Sequence, residues 1–164
     1  MLDVRREAFG LPRTNEVGKM GIENVVKVIK EIHPEKLILI KIGNFYNSYG
    51  KDSYIISYLF NYQLRDTDKI ISCGFPKGAL NKILKTIEDR EISYIIVNKS
   101  NNYEEEDKID FKKKNMYLET YNKAHKYLSK KRKIDNIYNY LLENIDDKNI
   151  KEKINKVEKI LYEI

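Results

Sequence analysis

The sequence predicts an α/β domain followed by a helical extension, and three observations predict it. Short apolar runs alternate with amphipathic stretches over residues 22–99, a polar acidic segment follows at 100–110, and residues 111–164 hold a helical pattern that no glycine or proline interrupts.

Each element follows in order. Residues 1–21 hold two glycines before Gly21, one proline and no sustained period, so they read as an N-terminal arm carrying Arg5, Arg6 and Arg13. The spacing Ile22, Val25, Val26, Ile29 is helical, and the His33-Pro34 pair stops it. "LILIKIG" (37–43) reads as a buried strand and "KDSYIISYLFN" (51–61) as a short helix. "KIISCGF" (69–75) is a second strand, "PKGALNKILKTIEDR" (76–90) a helix opened by Pro76, and "SYIIVNK" (93–99) a third strand. This sets an α/β domain over residues 22–99. "NKSNNYEEEDK" then reads as a solvated acidic linker, with domain limits of 100–110.

Within 111–164, Tyr117, Tyr121, Ala124 and Leu128 share one helix face, and Lys123, Lys126, Lys130 and Lys133 gather on another. Ile134, Ile137, Tyr138, Leu141, Leu142 and Ile145 form a second apolar stripe, rotated by about 100° from the first at 3.6 residues per turn. The helix therefore breaks near 129–133 or changes packing partner there. Ile150, Ile154, Val157, Leu161 and Ile164 make a last amphipathic helix after "DDKN".

Composition excludes several function classes. Cys73 is the only cysteine, and with His33 and His125 far apart the sequence offers no ligand set for a structural zinc. No cofactor or metal is expected. The first twenty residues lack the apolar core of a signal peptide, so the expected location is cytoplasmic. The formal charge of +6 is unevenly placed. Residues 108–133 carry ten Lys/Arg against Asp110 and Glu119, whereas Glu104, Glu105, Glu106 and Asp107 make 100–107 purely acidic.

The stretch "IKIGNFYNSYG" (40–50) poses the functional question, because Phe45 stands where an apolar strand gives way to asparagines and glycines. If the strand runs on unbroken, Ile38, Ile40, Ile42 and Tyr46 share one face, and Lys41, Gly43, Phe45, Asn47 and Tyr49 the other. Phe45 is then exposed beside a lysine and an asparagine. A bulge at Gly43 reverses the assignment, and the plain alternative is an ordinary half-buried strand aromatic.

"IKIGNFYNSYGKDSYIISYLF" followed by "IISCGFPKGALNKILKTIEDREISYIIVNK" resembles the amino-terminal mismatch-recognition domain of MutS, the DNA mismatch-repair protein, over about residues 20–99. That family runs helix, strand ending in Gly-Asp-Phe-Tyr-Glu, helix, then Cys/Ala-Gly-Phe/Ile-Pro opening a helix, and a final strand. The resemblance implies a mixed β-sheet flanked by helices, in which the Phe stacks on a mispaired or unpaired base and the Glu hydrogen-bonds it.

Carried onto this chain, the stacking residue is Phe45, intact. The glutamate position holds Asn47, which lacks the carboxylate yet offers a donor and an acceptor to a base edge. Gly74, Phe75 and Pro76 match the second motif and are expected to turn strand into helix. Lys41, Arg65 and Lys77 are candidate phosphate contacts, and Lys123, Lys126, Lys130 and Lys133 a sequence-independent attractive stripe.

The chain holds no G-x-x-x-x-G-K-[ST] phosphate loop, catalytic triad or supported carboxylate pair, so no ATPase or other enzyme is expected in it. The expectation is a non-enzymatic nucleic-acid-binding accessory protein whose partner is DNA or RNA. Stand-alone relatives of this domain near bacterial diversity-generating retroelements imply a reverse transcriptase as a further partner. The alternative is a protein-interaction adaptor whose C-terminal helices dock on a partner or on each other.

Overall fold

The computed structural model describes residues 20–163, so the arginines of the N-terminal arm lie outside the described residues. The order of elements is α1 (Ile22–Ile32), β1 (Leu37–Ile42), β2 (Phe45–Tyr49), α2 (Lys51–Phe60), β3 (Arg65–Asp66) and β4 (Ile71–Pro76). There follow a 3₁₀ turn (Lys77–Ala79), α3 (Leu80–Asp89), β5 (Tyr94–Asn98), a second 3₁₀ turn (Lys99–Asn101), β6 (Glu104–Ile109), α4 (Tyr117–Glu143) and α5 (Ile150–Tyr162).

The six strands form one sheet in the order β3-β4-β2-β1-β5-β6. β1 and β5 are parallel and every other neighbouring pair is antiparallel, so the sheet is mixed. The chain divides into two compact units between His125 and Lys126, with the sheet wholly in the first.

Alternation along the strands sorts the apolar side chains onto two faces. On one face Leu37, Leu39, Tyr46, Phe75, Tyr94 and Ile96 pack with Ile55 and Ile56 of α2, Ile83 and Ile87 of α3, and Tyr117 at the start of α4. On the other, Ile38, Ile40, Ile95 and Val97 pack with Val25, Val26 and Ile29 of α1.

A buried polar tie joins four of these elements. Asp52 of α2, 1% exposed, accepts hydrogen bonds from the Ile38 amide (3.0 Å), Lys30 of α1 (2.9 Å) and the Tyr117 hydroxyl (2.5 Å). Burial pushes the Asp52 carboxyl above its ordinary range, against the pull of Lys30 and of the Tyr117 and Ile38 hydrogen bonds. Lys30 donates also to the Lys36 carbonyl at 2.6 Å, so the cation is held from two sides.

One expectation is corrected here and one is narrowed. The segment read as an acidic linker contains a strand: β6 pairs with β5 along its length, with an irregularity between Ile96 and Val97. Its carboxylates find donors, Glu106 accepting from Asn98 (2.6 Å) and lying 3.6 Å from Lys41, and Asp107 accepting from the Tyr94 hydroxyl (3.3 Å). Charge along an edge strand discourages pairing with another chain.

Of the two outcomes open near 129–133, the helix does not break: α4 is a single 27-residue element, and from Lys126 on it belongs to the second unit. Its root belongs to the sheet unit: Tyr117, Thr120 and Ala124 are buried, and Asn115 just before it donates to the Glu35 carbonyl at 2.7 Å. In the second unit the stripe from Ile134 to Ile145 is left largely exposed.

Candidate nucleic-acid interface

The local geometry of Phe45 follows from a turn. Ile42 and Phe45 are direct cross-strand partners, so the chain reverses through two residues, Gly43 and Asn44. Gly43 takes a φ of +59°, the backbone that a side chain resists and that tight hairpins demand at the first loop position.

This reversal overturns the face assignment made from an unbroken strand. Across a two-residue hairpin the residues flanking the loop point the same way, which puts Phe45, Asn47 and Tyr49 on the face of Ile42, Ile40 and Ile38. Tyr46 goes to the opposite face, where its ring stacks on Phe75 at 5.7 Å. Phe45 is nevertheless exposed, at 52%, because the apolar cluster under α1 ends with the half-buried Ile42.

Two polar residues start near Phe45 in the backbone register. Phe45 pairs with Pro76 of β4, and the next residue, Lys77, donates its backbone N–H to the Asn44 carbonyl at 2.8 Å. The exposed Lys77 therefore starts beside the turn that carries Phe45.

Asn47 pairs with Gly74, and a Cβ on that glycine would meet the Asn47 Oδ1 at 2.6 Å. Gly74 thus provides the space in which the amide lies. The expectation that Gly74, Phe75 and Pro76 turn strand into helix is corrected: all three belong to β4, Phe75 is fully buried, and the turn begins at Lys77.

The other expected contacts are dispersed. Arg65, exposed on the edge strand β3, pairs with Ser72, which pairs with Tyr49, so by register it shares the Phe45 face. It lies roughly 10 Å across and 13 Å along the sheet from Phe45 at ordinary strand spacings.

Lys41 partners Tyr46 and so belongs to the opposite face, within 3.6 Å of Glu106. Lys123, on the exposed side of α4, is tied to Glu119 at 2.7 Å. Lys126, Lys130 and Lys133 are exposed and belong to the second unit. Sequence reasoning missed the turn residue Asn44 and the space-making role of Gly74. The Gly-Asn pair between two strand-like runs was the available sign of the first.

Among the described residues no group of three or more His, Cys, Asp or Glu could hold a metal ion, and no helix is long and apolar enough to cross a membrane. Burial pushes the Cys73 thiol up to about 12, which leaves it a neutral, inert core group at ordinary pH.

Comparison with known proteins places this geometry in a lineage. The family model described as MutS domain I matches residues 20–134, taking in the whole sheet and the root of α4. The chain is also 32% identical over 76 residues to a protein of Salinibacter ruber named DNA mismatch repair protein MutS; the match covers 43% of this chain and 8% of that protein. The mixed sheet, its flanking helices and a family match over more than two thirds of its length together establish that the chain belongs to the MutS domain I family.

Proposed function

We propose that this chain is a non-enzymatic DNA-binding module that inserts Phe45 as a stacking wedge beside a distorted or mispaired base, with Asn47 offering its amide to the base edge. The observation that carries the reading is a phenylalanine half exposed beside a two-residue hairpin turn, in a chain of this family, with Asn47 on the same strand face and the Lys77 backbone bonded to the turn. Base–aromatic stacking is worth about 1–3 kcal/mol per base and tolerates any sequence, because every base has a π-face. Asn47 supplies one donor and one acceptor where the family pattern has a carboxylate, so base discrimination rests on amide hydrogen bonds alone.

Lys77 supplies the nearest cation, and Arg65, on the same face, supports a phosphate some distance along the backbone. Lys123, Lys126, Lys130 and Lys133 contribute attraction that does not depend on sequence. Lys41 is the weakest of the expected contacts, given its pairing with Glu106 on the other face.

The test is a fluorescence titration with mismatched duplex, matched duplex, single-stranded DNA and structured RNA, each at two salt concentrations. The proposal expects tightest binding to mismatched duplex, weakening with salt, and a loss on Phe45→Ala of about 5- to 150-fold, the stacking range converted to affinity. Binding that ignores the Phe45→Ala change overturns it, and preference for the RNA moves the module to another nucleic acid.

A further inference from the structure

We infer that the helical extension is a self-association surface: two copies of the chain pair through antiparallel α4 helices, about a two-fold axis near Tyr138. The inference rests on the second unit alone and is independent of the Phe45 reading.

The surface is apolar and uncovered. Ile134, Ile137, Tyr138, Leu142 and Ile145 are each between 47% and 65% exposed, and at 3.6 residues per turn Ile134, Ile137, Tyr138 and Ile145 follow one stripe with Leu142 at its margin. α5 meets α4 only at the edge of this stripe, where Lys153 donates to the Tyr140 hydroxyl at 2.6 Å and Leu141 is half-buried; the five residues named stay exposed. Contiguous exposed apolar patches of this kind mark interaction sites.

Charge chooses the occupant. Residues 126–133 carry Lys126, Lys130, Lys131, Arg132 and Lys133 with no acid, whereas 134–147 carry Asp135, Glu143, Asp146 and Asp147 with no cation. A second copy laid parallel would set like charge against like. Laid antiparallel, it sets the basic end of each helix against the acidic end of the other, which is the self-complementarity that a two-fold interface requires.

With the axis at Tyr138 the two Tyr138 rings meet, Ile134 is level with Leu142, and the basic stretch 130–133 of each copy is level with the acidic stretch 143–146 of the other. Lys131 and Asp135 are bound to each other at 3.0 Å within the helix, an exposed pair that contributes little and can exchange partners. The seam from Ile134 to Ile145 is about 17 Å long at 1.5 Å per residue, short for a permanent dimer, so the association is expected to be weak and salt-sensitive.

The test is sedimentation equilibrium over a concentration series, at low and high salt and without nucleic acid, on the chain and two variants. One is Lys130→Glu/Lys133→Glu, the other Glu143→Lys/Asp146→Lys. The chain itself should dimerise reversibly and more weakly in high salt. Each variant should dimerise at least tenfold more weakly, and an equimolar mixture of the two should form a heterodimer about as well as the original, which also shows that both variants fold. A chain that stays monomeric at every concentration overturns the inference. So does a dimer that both variants retain, or a mixture that fails to rescue association. None of these outcomes bears on whether Phe45 stacks on a base.

Discussion

The side chain of Asn47 lies across Gly74, its oxygen in the space that a Cβ there would claim at 2.6 Å. The half-buried amide thereby lies on the Phe45 face, with no side chain from Gly74 in its place. Gly74→Ala should displace a flexible amide rather than backbone, so the loss of stability is expected to stay near 1 kcal/mol. If the amide reads a base, Gly74→Ala and Asn47→Ala should each reduce mismatch preference, and the double variant should be no worse than the poorer single one. Titrations of the three variants against matched and mismatched duplex check this non-additivity.

Phe45 and Phe75 lie on neighbouring strands and should behave in opposite ways. Phe45→Ala removes an exposed ring and should change stability by no more than about 0.5 kcal/mol. Phe75→Ala empties the core and should cost about 3–5 kcal/mol. Urea unfolding of both variants separates the two roles, and it guards the binding assay against a folding artefact.

The Lys30–Asp52–Tyr117 tie should respond unequally to its parts. Tyr117→Phe deletes one hydroxyl and should cost about 1–2 kcal/mol, whereas Asp52→Ala strips the partner from a largely buried cation and should cost about 3–5 kcal/mol.

The pH dependence carries its own sign. Because burial raises the folded-state value of Asp52, the folded chain holds that proton more tightly than the unfolded one. The resulting stability is full below the unfolded value, about 4, and is lost as pH rises through the folded value. Unfolding measured at rising pH should show the chain losing stability relative to Asp52→Asn; equal slopes would dismiss the shift.

Cys73 offers a clean reporter of folding. Fully buried, with its thiol pushed up to about 12, it should resist a thiol reagent at pH 8 in the folded chain and react at once in denaturant. Rapid labelling without denaturant would mean that the sheet opens between β2 and β4.

Much of this fold is legible in the residues because burial leaves a period. Val25, Val26 and Ile29 announce α1, and the apolar runs at 37–42 and 94–98 announce the two parallel strands at the sheet's centre. β6 escaped because its stability comes from backbone pairing and borrowed donors, which leave no hydrophobic pattern. The turn at Gly43-Asn44 escaped for a different reason: a two-residue reversal flips parity, and reading alternation straight through it exchanges the faces.

The exposure of Phe45 was expected from the wrong face of the wrong strand. Phe45 instead pairs with Ile42, at the margin of the apolar cluster under α1, and is not part of that cluster. The ion pair of Lys41 with Glu106 could not be read at all, since it joins residues 65 positions apart.

β2, bonded to β1 on one side and β4 on the other, has little slack to take up. A ring mounted there needs no loop to settle before it meets a flat ligand. The conformational entropy of placing it is lost when the chain folds, so whatever it touches has only its own disorder to surrender.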